Sequence, residues 1–344
     1  SFSTAHRRQL TYVHPFSKLP HSQKELDWFL EDAVASPPWS SSSSSKLLLQ
    51  QRREEEEKNS SPPPLISLRS SFADLSARWE ARIKERMPFQ YAVGIAHWRR
   101  VTLAVGSGVL CPRPETEQLV DLAAAAFREM TKAKAKSSSP LLSSLPWADL
   151  GTGSGAIAVG LALDALVVVG SGGENGGAST STPSTSSSIP LPRVFAVDAS
   201  PLAASWARLN VERLNLEDRV TVLEGSWLEP LFELEKTKEA SSSSSSPSSK
   251  QGEEAFLAGV VSNPPYIPQS QLSTLQREVR DHEPNLALDG GPGAGLDSLR
   301  PLCSSAARAL ACGGFLALET AGKEQASEVA SDLLEKSGAF EEVQ

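Results

Sequence analysis

Asn263-Pro264-Pro265-Tyr266 follows an apolar run over 256–261 and places a carboxamide, two prolines and an aromatic ring at its end. Proline lacks an N–H and fixes its own φ, so Pro264-Pro265 stops a strand there and stiffens the chain beyond it. The Asn263 amide and the carbonyls of 262–264 are then left free at a strand's C-terminal end, where open α/β sheets bind ligands. A planar –NH2 group can give one hydrogen to the Asn263 side-chain oxygen and the other to the Pro264 carbonyl, with Tyr266 stacked on its face. The bland alternative is a proline-rich turn with a packed tyrosine, since short motifs carry false positives.

A second group of residues points to a cofactor. Asp149 ends a short strand over 147–150, and Gly151-Thr152-Gly153-Ser154-Gly155 leads directly into an apolar helix expected over 156–169. Glycines there permit a tight turn and a close backbone approach to a ligand. The spacing is G-x-G-x-G, so the dinucleotide fingerprint G-x-G-x-x-G is not met. An acid ending the next strand, about 20 residues on, should bond ribose hydroxyls. Asp198 lies 49 residues after Asp149, and 26 once the 23-residue Gly/Ser/Thr tract 170–192 is set aside. Strand, loop, helix, strand and acid together indicate a nucleoside cofactor.

The elements that must position these groups alternate. Strands are expected over 147–150, 193–198, 220–224, 256–261 and 315–318, with helices over 156–169, 201–214, 295–311 and 323–336. That order predicts an α/β domain with a doubly wound, mostly parallel sheet. It occupies 112–344, interrupted by Ser-rich insertions at 170–192 and 236–252. Before it, 88–111 reads as a β-hairpin linker. Residues 22–87 read as a small helical domain with insertions, its helices over 23–35 and 71–86 and a solvated, charged stretch over 46–58. Residues 1–21 read as a transit-like or disordered segment. Ser1 to Lys24 is basic and hydroxyl-rich with no acid, the bias of an organelle leader. The chain opens at Ser1 and stops at Gln344, so residues beyond both ends are expected, including one or two last strands.

The formal net charge of −8 argues against a general nucleic-acid-binding surface, whose affinity comes from Lys and Arg on phosphates. Cys111, Cys303 and Cys312 form no C-x-x-C pair and read as reduced thiols, with no metal site. No apolar run is long enough to span a bilayer.

Asp149 to Gly155 resembles the first motif of S-adenosylmethionine-dependent methyltransferases, and Ser262 to Tyr266 the motif of those acting on planar nitrogens. Pro112-Arg113-Pro114-Glu115-Thr116-Glu117, Gln90-Tyr91 and His282-Glu283-Pro284 with Leu286-Ala287-Leu288 resemble the HemK/PrmC family. Its members methylate the side-chain nitrogen (N5) of the glutamine in the Gly-Gly-Gln motif of peptide-chain release factors. The resemblance runs from about Glu25 to Phe340. It implies a Rossmann-like class I methyltransferase domain, S-adenosylmethionine as cofactor, a release factor as protein substrate docked by the N-terminal helical domain, and a monomer. Gly151 to Gly155 would hold the methionine part, Asp198 the ribose, and Trp227 of Gly225-Ser226-Trp227 the adenine region. Asn263 to Tyr266 would hold the glutamine. Gly225-Ser226-Trp227 and Phe89-Gln90-Tyr91 resemble plant-type members. With the leader composition they imply an organelle, the plastid ahead of the mitochondrion.

No strong general base is evident. His282 reads as a loop or lid contact and His97 as structural. Glu115 and Glu117 complement a helix N-terminus. Two other readings stay open: an adenine-N6 methyltransferase, and a catalytically silent cofactor-binding protein of translation. A nicotinamide oxidoreductase would need the longer glycine spacing.

Overall fold

A computed structural model describes residues 25–26, 28–29, 71–134, 142–166, 191–242 and 255–343. The segment 1–21 expected to be transit-like or disordered, the stretch 46–58 and most of both serine tracts lie outside the described residues. So does the helix expected over 23–35, apart from four positions. The chain divides into two compact units, Ser1–Gly94 and Ile95–Gln344.

In the first unit, helix α1 (Phe72–Lys84) starts at Ser71, whose hydroxyl oxygen accepts the Asp74 N–H at 3.1 Å. Its stripe buries Leu75 and Trp79 against Phe29 and Ala92, with the Phe29 and Trp79 rings 5.3 Å apart. Arg82 forks onto Glu25 at 3.1 and 3.0 Å. Residues 88–94, expected in the hairpin, instead form a short helix, α2 (Phe89–Val93). Pro88 sets its start and Gly94, at φ +80°, ends it in the left-handed conformation.

The second unit opens with the hairpin itself, β1 (Ile95–Trp98) and β2 (Val101–Ala104). Its turn puts Arg99 at φ +49°. The strained backbone is held by its N–H on Glu117 (2.9 Å), while the guanidinium bonds Asp164 at 2.8 Å and Asp121 at 3.0 Å. Helix α3 (Glu117–Lys134) follows a single 3-10 turn over Pro114–Thr116.

Five parallel strands then form the sheet: β3 (Trp147–Leu150), β4 (Val194–Asp198), β5 (Val220–Glu224), β6 (Leu257–Ser262) and β7 (Leu310–Leu318). Their order is β5-β4-β3-β6-β7. This is the expected doubly wound α/β sheet. Every residue of β3 and β6 is buried, as a strand covered on both faces requires. On one face, α3 and α4 (Ala156–Gly160) pack with Trp98, Phe127 and Trp147. On the other, α6 (Glu229–Ser242) and, after the one-turn α7 (Arg277–Arg280), α8 (Leu299–Ala309) pack on Leu150, Val197 and Val260. Gly259 pairs with Trp147 in register. A Cβ there would lie 2.2 Å from the Trp147 ring, so the close approach of this indole demands glycine.

Several bounds differ from the sequence expectation. The helix after the glycine loop changes to π geometry over Leu161–Ala165 and stops at Leu166, whose N–H reaches back five residues to Leu161. Helix α6 runs into the serine tract as far as Ser242. Helix α8 is shorter than expected, because β7 begins at Leu310 directly after it.

Candidate active site

The strand order reverses at β3, with β4 and β5 to one side and β6 and β7 to the other. Such a switch point opens a crevice above the strand ends. A cavity of about 740 Å³ lies there, lined by Gly151, Thr152, Gly153 and Ser154, by Asp198 and Trp227, and by Thr116, Asn263 and Pro265.

The glycine loop is built by its backbone. Gly151, Gly153 and Gly155 take φ of +71°, +56° and +84°, a region L side chains rarely adopt. The N–H groups of Gly151 and Thr152 bond the Val197 carbonyl at 2.8 and 2.9 Å, tying the loop to β4. Gly155 does not line the cavity. It packs on helix α5 (Pro201–Arg213), where a Cβ would sit 3.4 Å from Ala207. Asp198 Oδ2 accepts the Gly153 N–H at 2.8 Å and Oδ1 the Ser200 N–H at 2.9 Å. Each oxygen keeps further acceptor capacity, so the carboxylate offers paired acceptors suited to a vicinal diol. Burial holds this carboxyl above its ordinary range.

Asp149 lies beneath the loop and does not line the cavity. Its Oδ2 accepts the Thr152 hydroxyl at 2.6 Å and the Ala158 N–H at 2.9 Å. Its Oδ1 has no partner among the described residues. Burial outweighs those two hydrogen bonds and pushes the carboxyl up to about 7. Trp227 sits at φ +46°, an uncommon conformation for an aromatic residue. Strain of this kind collects at binding sites, and the Trp227 side chain both lines the cavity and packs on the second core.

At the end of β6, Asn263 Nδ2 donates to the Thr116 hydroxyl oxygen at 3.1 Å. Thr116 in turn donates to Glu319 Oε2 at 2.6 Å, and the Tyr266 hydroxyl donates to Glu319 Oε1 at 2.8 Å. Pro264 is buried between two cavity-lining residues and does not itself line the cavity. Tyr266 does not line it either. Its ring packs beside Leu296, Leu299, Cys303 and Val329. Burial, and then Glu319, raises its phenol, which stays a neutral donor. Gln325 fixes the Tyr266 backbone, donating to its carbonyl at 2.9 Å while accepting the Ala321 N–H at 2.8 Å.

Arg113 lines the same cavity and donates from one nitrogen to both oxygens of Glu283, at 2.9 and 2.7 Å. The Glu283 side chain is 1% exposed. Burial, with Glu283 adding to it, pushes the Cys111 thiol up to about 12, so it is no nucleophile at neutral pH. Glu117 binds the Arg99 N–H, and no acid pair forms with Glu115. His97 is exposed on the hairpin, and His282 does not line the cavity. Among the described residues no cluster of His, Cys, Asp and Glu is arranged to hold a metal ion, and no helix is long and apolar enough to cross a membrane.

The sequence reading named neither Thr116, Arg113, Glu283, Glu319 nor Gln325 as a site residue. One signal was present for Glu319: it follows an apolar strand directly, as Asp198 and Asn263 end or follow theirs.

No protein-family model matches the chain. Among curated proteins it is 37% identical to the release factor glutamine methyltransferase of Thermosynechococcus vestitus, over 76% of this chain and 72% of that protein. It is 34% identical to that of Synechocystis sp., over 81% and 75%. The chain belongs to the release factor glutamine methyltransferase family. Another member of that name, from Gloeobacter violaceus, is 40% identical over 71% of this chain and 65% of the other. Of solved structures, the catalytic domain of hMettl16 overlaps at TM-score 0.41 and 10% identity, covering 83% of this chain and 81% of that one. Of the quoted motifs, Pro112, Arg113 and Thr116, Gly151 to Ser154, Asn263 and Pro265, and Pro284 to Ala287 contribute to the lining of the cavity described above.

Proposed function

We propose that this chain transfers a methyl group from S-adenosylmethionine to the side-chain nitrogen (N5) of the glutamine in the Gly-Gly-Gln motif of a peptide-chain release factor. The observation that carries the reading is Asn263 at the cavity wall, with Nδ2 committed to Thr116 and Oδ1 left as an acceptor.

The residues present fit the cofactor. Gly151 to Ser154 offer a close-lying backbone for its amino-acid part, the paired oxygens of Asp198 match ribose hydroxyls, and Trp227 gives an aromatic surface for the adenine. When bound, S-adenosylmethionine supplies an electrophilic methyl group on a sulfonium. The protein supplies position. An amide nitrogen is a poor nucleophile because its lone pair is delocalised. Asn263 Oδ1 would accept one hydrogen of the substrate amide and so orient the nitrogen's remaining face toward the methyl group; Pro264, expected to accept the other, does not line the cavity. Catalysis would then be mainly orientation and fixed dipoles: an N–C bond would form as the methyl–sulfur bond breaks, S-adenosylhomocysteine would leave, and the surplus amide proton would pass to water after transfer, so no general base is required before it.

The finer reading is organellar, with a plastid release factor as substrate. It is supported by the basic, hydroxyl-rich and acid-free composition of Ser1 to Lys24 and by the resemblance of Gly225-Ser226-Trp227 and Phe89-Gln90-Tyr91 to plant-type members. The N-terminal helical unit is assigned to docking the factor, and the enzyme is taken to act as a monomer.

The test offers a release factor and adenine-containing DNA and RNA side by side with labelled S-adenosylmethionine. Label should enter the release factor, and Asn263→Ala should lower its rate by about a hundredfold or more. Label entering nucleic acid alone would move the function to adenine.

A further inference from the structure

We propose that Thr116 and Glu319 are positioning residues that fix which end of the Asn263 amide faces the cavity, and so select a neutral carboxamide over a carboxylate. The proposal rests on the glutamine reading above and names what in the site enforces it.

The argument is one of donors and acceptors. An ionised carboxylate only accepts, and a threonine hydroxyl has a single hydrogen to give. That hydrogen goes to Glu319 Oε2, at a distance of 2.6 Å that fits a charge-assisted bond. Thr116 is 4% exposed, so water does not readily replace either partner. Its oxygen can then only accept from Asn263, which must present Nδ2, as it does at 3.1 Å. Asn263 Oδ1 is thereby left toward the ligand, and no described residue donates to it. The second oxygen of Glu319 is occupied by the Tyr266 hydroxyl, so the carboxylate is gripped from both sides. Backbone pairing fixes the frame: the Glu319 N–H bonds the Ser262 carbonyl at 3.0 Å, and the Ser262 hydroxyl bonds the Leu150 carbonyl at 2.6 Å.

The polarity runs one way. Glu319 makes Thr116 an acceptor, Thr116 makes Asn263 a donor on that side, and Asn263 becomes an acceptor toward the substrate. A glutamine –NH2 satisfies that acceptor. A glutamate carboxylate of nearly the same shape would set oxygen against oxygen, and sites built to bond a particular N–H strongly reject analogues without it. Glu319→Gln breaks the rule, because its –NH2 can donate to Thr116. The threonine hydrogen is then released toward Asn263, and the amide can turn.

The test uses the full chain with a release factor as substrate and, as competitor, the same factor with its motif glutamine replaced by glutamate. Thr116→Val should lower kcat by about a hundredfold. Thr116→Ser, which restores the hydroxyl, should recover most of that rate. S-adenosylhomocysteine affinity measured by calorimetry should hold within about threefold in all variants, because none of the polar contacts in the cofactor loop is touched. The decisive readout is discrimination: the glutamate factor should compete about tenfold better against Glu319→Gln and Thr116→Val than against wild type. Unchanged competition in both variants would overturn the proposal even if their rates fell, since packing loss alone lowers the rate without changing that ratio. An active wild type with unaltered variants would overturn the positioning role and leave the glutamine reading intact. A wild type inactive on glutamine but active elsewhere would overturn both. Should Thr116→Val fail to fold, Glu319→Gln carries the comparison, with Thr116→Ser expected to discriminate as wild type does.

Discussion

Arg113 stands between a buried carboxylate and the cavity, and removing it has a consequence set by pH. Burial raises the Glu283 carboxyl and the Arg113 guanidinium opposes that rise. Arg113→Met leaves the charge uncompensated at a side chain that is 1% exposed. Stripping one partner from a buried pair costs about 3 kcal/mol. We expect a loss of that order in urea unfolding at pH 8, and a smaller one at pH 5, because the rise that burial gives the Glu283 carboxyl is then no longer opposed by Arg113. Equal losses at both values would mean that Glu283 is not the residue responding. Asp149 has the opposite kind of history, with no cation beside it and a carboxyl raised to about 7. A raised carboxyl binds its proton more tightly in the native chain than in the unfolded one. Stability is therefore fully present below the ordinary carboxylate range and declines as pH rises toward 7. Asp149→Asn should flatten the fall of the thermal midpoint between pH 4 and about 7. The raised carboxyls of Asp198 and Glu283 leave a residual slope of the same sign. An unchanged slope would show that Asp149 is ionised throughout.

At the scale of elements, the contact of β3 with β6 decides whether the site exists, because it sets Asn263 beside the glycine loop. Trp147 fills the space over Gly259 and meets Phe127 and Phe315 at ring distances of 6.4 and 5.9 Å. Gly259→Ala should destabilise the chain by about 1–3 kcal/mol through overpacking. Trp147→Leu added to it should cost less than it does in the wild-type background, a coupling that a double-mutant cycle reads directly. Additive losses would mean that the two side chains do not share the space. This scale also shows what the sequence made legible. Periodicity and turn residues located β3 at Trp147–Leu150 and β5 at Val220–Glu224 to the residue, and the other sheet strands within a position except at the start of β7. They missed α2, because Gln90-Tyr91-Ala92 has strand-like neighbours, and the helical turn is dictated by Pro88 and Gly94 at its ends. They also missed α6, since 236–252 reads as a Ser-rich loop although the helix runs over Glu229–Ser242.

For the molecule as a whole, alternation of strands and helices was enough to specify a parallel sheet, yet it could not say which strands are neighbours. The Asn263–Thr116–Glu319 chain depends on that order. Its bonds span 147 and 203 residues, and they close only because β6 and β7 lie side by side beyond β3. Local motifs pointed to Asn263 and the glycine loop, and spacing to Asp198, which the structure brings to one cavity, while no bond to Asn263 was legible for Thr116, although it stands in the 112–117 motif, or through it for Glu319. The same topology gathers the glycine loop and Asp198 over β3 and β4, and Asn263 over β6, around one cavity, where the proposed transfer would run. Peptide-mapping mass spectrometry of a release factor, after incubation with S-adenosylmethionine and the full chain, tests that account most directly. One added methyl group on the side-chain nitrogen of the Gly-Gly-Gln glutamine is the result it predicts. A methyl group on any other residue, with that glutamine unmodified, would contradict it.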